Sequence, residues 1–187
     1  MSQPMPEPLP HDPVQQPPAA DADAQAEADA NFRALAHQMA ALDQAGRNGA
    51  HWFFWVAGLS MVNSIIAHVG GNIHFVVGLG VMLIVDGVAN NAAQQQPDRA
   101  AILKGIALGI DVLAALVVAL FGWLARNRFL GVYLIGMVLY LLDGLIFFAF
   151  RSWMSVAFHG FALYWMWNGF TAFRHVRRIE QALQHGG

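Results

Sequence analysis

Five hydrophobic stretches between Trp52 and Phe173 each carry one Asn or Asp well inside them: Asn63, Asp86, Asp111, Asp143 and Asn168. A rise of about 1.5 Å per residue puts Asp86 and Asp143 both roughly 9 Å below the same face of a bilayer. Lys104 falls slightly shallower on that side. His159 lies as far past Arg151 as Asp143 lies before it, which gives it the same depth. Asp86, Lys104, Asp143 and His159 are therefore expected to share one intramembrane polar layer. Asp111 belongs near the middle, with Asn63 and Asn168 nearer the opposite face, as candidate steps of a relay. Two carboxyls, an imidazole and an ammonium at one depth can hold and release a proton, because like charges and burial both favour the protonated carboxyl. A nearby Lys opposes that tendency, and then the layer only fastens helices together. No catalytic residue, metal ligand set or cofactor is assigned.

Keeping these groups is costly. An ionised carboxylate at a bilayer centre opposes insertion by about 2.5 to 3.5 kcal/mol even on a lenient scale, so three Asp oppose it by roughly 8 to 10 kcal/mol unless paired or protonated. The helices must supply the compensation. Spans are expected at 51–70, 73–90, 101–124, 129–150 and 153–173, each near the length needed to cross hydrocarbon. Gly70-Gly71-Asn72, Arg126-Asn127-Arg128 and Arg151-Ser152 are short enough to leave room only for antiparallel neighbours, while 91–100, with Pro97, is the one longer loop. Trp52, Trp55, Trp123 and Trp153 sit near span ends, where indoles prefer the interface.

Helical spacing gathers the polar residues into stripes. Ser60, Ser64 and His68 run beside Asn63, and Tyr164, Asn168 and Thr171 share another face. Lipid leaves such groups unsatisfied, so both stripes are expected to face the bundle interior. Gly105 and Gly109 form a GxxxG, expected to mark close packing. His68 and His74 are spaced so that they cannot share a helical face, which argues against a metal pair. Gly78-x-Gly80 lacks the third Gly of a dinucleotide turn.

The chain is 57% hydrophobic despite a polar first quarter, so it divides into a water-soluble tail and a membrane body. Seven of the eight Pro fall within residues 1–18, and residues 1–28 read as a disordered, acidic Pro/Ala-rich tail. Phe32, Leu35, Met39 and Leu42 lie on one face of a juxtamembrane amphipathic helix over 29–46, with Gly46 and Gly49 as a breaker before the membrane domain of 51–175. Residues 176–187 read as a basic and polar C-terminal tail. No basic run interleaved with aromatics supports nucleic-acid binding, and the absence of Cys removes disulfides and thiolate chemistry. The expected partners are the lipid bilayer and a membrane protein or a second copy of the chain.

Five crossings split the ten Lys and Arg evenly, so the positive-inside rule gives no orientation. If the first span does not cross, the split becomes seven against three with both termini cytoplasmic, a better fit to that rule. A faint repeat offset by 57 residues sets Asp86-Gly87 against Asp143-Gly144 and Asp111 against Asn168. The segments from His51 to Asn63, Leu141-Leu142-Asp143-Gly144 and Ser155 to His159 resemble an uncharacterised group of small bacterial multi-span inner-membrane proteins with no established activity. That resemblance covers residues 51 to about 175 and implies a five-helix body in a bacterial inner membrane.

The expected fold is thus all-α, a polytopic bundle of five transmembrane helices. The favoured function is a non-enzymatic structural or partner-binding bundle with an interior polar network. The alternatives are a proton- or cation-coupled transport or relay element, and an intramembrane metal-dependent enzyme.

Overall fold

A computed structural model describes residues 19–68 and 78–185, and all of their regular structure is helical. The helices are α1 (Ala19–His68), α2 (Gly80–Gln95), α3 (Ala100–Arg126), α4 (Leu130–Ala149) and α5 (Trp153–His185), with a 3-10 turn at Pro97–Arg99 before α3. The chain divides into two units, Met1–Gln38 and Met39–Gly187. The described part of the first is the start of α1, where Phe32 is exposed. The second holds the bundle. Residues 1–18 of the expected disordered tail, and His74, lie outside the described residues.

Five membrane-spanning helices are expected from the sequence, but among the described residues three helices are long and apolar enough to cross a membrane: α1, α3 with its preceding turn, and α4. α2 has 16 residues, and its apolar part ends near Val88, before Asn90, Asn91, Gln94 and Gln95. That part covers about 13 Å at the usual rise, less than half of a hydrocarbon core. α5 is 33 residues long, but His159, Asn168 and its Trp and Tyr side chains make it less apolar than a typical span. It also continues to His185, so the residues after Phe173 extend a helix.

Gly46 and Gly49 do not break α1, which runs through both. They are points of close approach. A Cβ on Gly49 would lie 2.6 Å from the Gly169 backbone of α5, and one on Gly46 would strike the Phe173 ring. The GxxxG of α3 is the opposite case: a Cβ on Gly105 or Gly109 would meet nothing within 4 Å, and both are exposed. The core is built around Tyr133, fully buried, whose ring meets Phe53, Phe170 and Phe173 edge-on.

Two tight turns join the last three helices. Phe129 N–H donates to Leu124 O, and Ser152 N–H to Phe147 O, each closing a Schellman-type helix end. Arg128 and Arg151 take the left-handed position usually given to Gly, with φ of 64° and 55°. These turns make α3, α4 and α5 antiparallel neighbours, as their short connections require.

α1 and α2 differ from that pattern. Leu79 N–H donates to Ser60 Oγ at 2.9 Å, two turns before the end of α1, and Asp86 then lies beside His68 at that end. α2 therefore runs in the same direction as the last turns of α1, not antiparallel to it. Phe53 packs at Gly122 and Gly136, and Gly49 at Gly169, so α1 is parallel to α4 and antiparallel to α3 and α5. Since α2 starts level with Ser60 and runs the same way as α1, both helices end toward the same end of the bundle. The ends of the bundle follow from this. Asp43, Arg47, Arg128 and Glu180 meet at one end, and Arg99, Lys104 and Arg151 belong to the other.

Candidate functional site: two interior polar clusters

The expected single layer resolves into two separate clusters. The first is built where α2 begins. A helix start leaves backbone N–H groups without intrahelical partners, and Leu79, the residue before α2, has no capping side chain. Asp143 of α4 supplies the cap from another helix: Gly80 N–H donates to Oδ2 at 2.7 Å and Val81 N–H to Oδ1 at 2.9 Å. The positive end of the helix dipole points at the same carboxylate.

Gly80 permits this approach, since a Cβ there would lie 3.0 Å from Ile146 Cβ and 3.1 Å from Asp143 O.

His159 of α5 completes the cluster. Its Nδ1–H donates to Ser155 O at 2.9 Å, and its Nε2 lies 3.1 Å from Asp143 Oδ2. With Nδ1 committed as a donor to a carbonyl, the short contact at Nε2 needs a second proton. Gly80 N–H, Val81 N–H and the His159 ring thus converge on the two Asp143 oxygens. The ring stacks on Tyr140 at 4.4 Å between centroids, tilts against Phe147, and lies over Gly144, where a Cβ would come within 3.1 Å of it. The pair is buried, with His159 3% and Asp143 8% exposed.

The second cluster joins α1, α2 and α3 through His68, Asp86 and Asp111. His68 Nδ1 lies 2.8 Å from Ser64 O and its Nε2 3.0 Å from Lys104 O, while Asp86 Oδ1 is 3.9 Å from Nδ1. Asp86 and Asp111 stand within side-chain hydrogen-bond reach of each other. Asp111 is fully buried. Neither of its oxygens, nor Asp86 Oδ1, has a hydrogen-bond donor among the described residues.

Of the residues expected in one layer, only Asp143 and His159 meet. Asp86 is six residues further along α2 than Gly80, about 9 Å along the axis. α2 starts inside the bundle, level with Ser60, and not beyond His68, which shifts its register against α4. Lys104 is exposed and contributes its backbone carbonyl, not its ammonium. Asn168 and Tyr164 are exposed, so the polar stripe of α5 faces outward, because the small residues Ala162, Gly169 and Ala172 take the packed face. Asn63 is half-buried beside Gly78. The repeat partners differ in role as well: Asp143 caps the start of α2 and meets His159, whereas Asp86 faces His68 and Asp111.

No family model, curated protein or solved structure matches the chain. Its function must be argued from these clusters and from their surroundings.

Those surroundings include a cavity of about 350 Å³ lined by Phe53, Leu79, Val118, Phe121, Tyr140 and Asp143 among others, and it is almost wholly apolar. It separates the Asp143–His159 pair from the α3 surface around Ile110 and Ala114.

At the end of the bundle formed by the α3–α4 turn lies a third polar group that sequence patterning did not reveal. Arg128 bonds Asp43 at 2.6 Å and Glu180 at 2.8 Å, and Arg47 bonds Asp43 at 2.8 Å. Partial burial pushes the Asp43 carboxyl upward, but the hydrogen bonds and charges of Arg47 and Arg128 outweigh it and hold Asp43 below the usual carboxylate range. Burial lowers Arg128 in turn, and its two carboxylate partners more than restore it. These four residues tie α1, the α3–α4 turn and α5 together. A run of two Arg in a turn was legible, but its acidic partners are 85 and 52 residues away in sequence.

Proposed function

We propose that this chain is a multi-pass integral membrane protein with four crossings, made by the three apolar helices α1, α3 and α4 and by the less apolar α5, which packs antiparallel on α1 at Gly169 and Phe173, and with one half-helix, α2, that starts inside the membrane. It acts without catalysis, as a helical scaffold or partner-binding bundle, and its interior polar groups serve assembly first. The observation that carries this reading is Asp143 capping the start of α2 from α4. In hydrocarbon an uncapped helix start leaves several N–H groups unsatisfied, each at a cost of several kcal/mol. A carboxylate held by two backbone donors and an imidazole answers both that cost and its own.

Charge distribution supports the four-crossing arrangement. Within residues 39–187, Arg47, Arg126, Arg128, Arg174, Arg177 and Arg178 belong to the end with the α3–α4 turn, against Arg99, Lys104 and Arg151 at the other. Six against three follows the positive-inside rule with both termini cytoplasmic. The five-crossing count was a tie because it put α1 and α2 on opposite headings. The resemblance to small bacterial multi-span proteins favours the cytoplasmic membrane of a bacterium as the location.

Reporters that are active on only one side of the membrane, fused in turn to each terminus, test the reading. Both should report the cytoplasm. Reporters on opposite sides would end the four-crossing arrangement, and reporters that release with the soluble fraction would end the membrane reading.

A further inference from the structure

We propose that Asp86 and Asp111 form a proton-binding site, two carboxyls sharing a single proton, reached only from the end of the bundle that carries Lys104 and Arg151. The proposal rests on the membrane reading for its sidedness but not for the pair itself.

Three carboxyl oxygens here have no donor among the described residues, and Asp111 is fully buried. Two carboxylates within hydrogen-bond reach repel each other, and neither brings a proton of its own when both are ionised. One added proton converts that repulsion into an O–H···O bond between them. Among the described residues, the facing groups supply no other donor. His68 directs its nitrogens at Ser64 O and Lys104 O, and a neutral imidazole could donate to only one of them. As an imidazolium it satisfies both carbonyls and leaves one positive charge 3.9 Å from Asp86. An imidazolium, one carboxylate and one carboxylic acid sum to zero, so the buried cluster is neutral with a single shared proton.

The other charged groups on the packed elements do not enter. From α4, Asp143 is occupied by His159 and the start of α2. From α3, Lys104 is exposed, as are Asp98 and Arg99 of the 3-10 turn. Among the described residues, no three ligating side chains converge as metal donors.

Access is one-sided. The His68 and Asp86 side chains are 18% and 19% exposed, near the end of α1, while Asp111 is closed off. The next ionisable pair, Asp143–His159, lies about 9 Å along the α2 axis. An apolar cavity lined by Leu79, Val81, Ile110 and Ala114 adjoins that interval.

Infrared difference spectroscopy of the full chain in proteoliposomes tests the proposal. At neutral pH the wild type should show one protonated-carboxyl C=O band that shifts in D2O. Asp86→Asn and Asp111→Asn should each abolish the whole band, since either amide can donate to the remaining carboxylate. Asp143→Asn should leave it. Loss of half the band in each single variant would mean two independent acids and would overturn the sharing. A band that Na+ displaces at constant pH would overturn proton selectivity in favour of a cation. If the Asn variants do not fold, the wild type alone decides: absence of a D2O-sensitive band refutes the site. In vesicles of uniform orientation, a pH step should move the band only when applied to the face that carries Lys104 and Arg151. A response from the other face refutes the sidedness. A band that persists while terminal reporters fall on opposite sides would sink the four-crossing reading and leave the carboxyl pair intact.

Discussion

Asp143 on α4 accepts the backbone N–H of Gly80 at 2.7 Å, so the first residue of one helix is capped by a side chain 63 positions away. Local capping residues are ordinarily Ser, Thr, Asn or Asp immediately before the helix. Here Leu79 occupies that place, and the cap arrives through tertiary packing.

Asp143→Asn retains one acceptor oxygen and an isosteric shape but removes the charge opposing the helix dipole and the imidazole. Asp143→Ala removes every acceptor. By cap and charged hydrogen-bond magnitudes, the losses should be about 1 to 2 kcal/mol for Asn and about 3 kcal/mol or more for Ala. Thermal unfolding in detergent should rank wild type above Asn above Ala. Equal stability of all three would show that the cap does not hold α2.

Glycine substitutions should separate sharply by position. Gly49→Ala and Gly169→Ala drive a Cβ to within 2.6 to 2.7 Å of backbone on the facing helix, and backbone cannot yield as a side chain can. Each should cost several times the typical overpacking range of about 1 kcal/mol at its low end. Gly105→Ala and Gly109→Ala meet nothing within 4 Å and should be neutral or stabilising by up to about 1 kcal/mol through helix propensity. Unfolding temperatures of the four variants check this contrast.

The pH dependence of the end of the bundle at the α3–α4 turn follows from Asp43. Its folded carboxyl titrates below its ordinary value of 3.8, so the unfolded chain takes up the proton first as pH falls. The stabilisation is therefore complete above the ordinary carboxylate range and is lost as pH drops below it. With Arg128 42% exposed, solvent screening limits the pair to about 1 kcal/mol or less. Asp43→Asn should remove that acid-sensitive part of the stability curve and reduce the effect of added salt. An unchanged curve between pH 5 and pH 2 would contradict the assignment.

Lys104→Gln should have no measurable effect on stability, within about 0.5 kcal/mol. Only the backbone carbonyl of Lys104 reaches His68, and Gln keeps it. A loss comparable to that of Asp143→Ala would restore Lys104 as an interior counter-ion.

Periodicity and turn chemistry determined the helical class, the two Arg-bearing turns and the order of α3, α4 and α5, because short connections between apolar helices admit few geometries. Composition also identified the costly side chains. It could not assign their partners. Equal depths suggested that Asp86 and Asp143 meet, yet depth along a helix depends on where that helix starts, and the start of α2 is decided by Ser60 and Asp143 reaching it from α1 and α4. Gly49 read as a breaker because a lone sequence cannot show Gly169 pressed against it. The chain by itself therefore determined which groups need compensation in an apolar medium. Only the packed helices decided which donor answers which acceptor, since hydrogen bonds and close backbone approach depend on three-dimensional register.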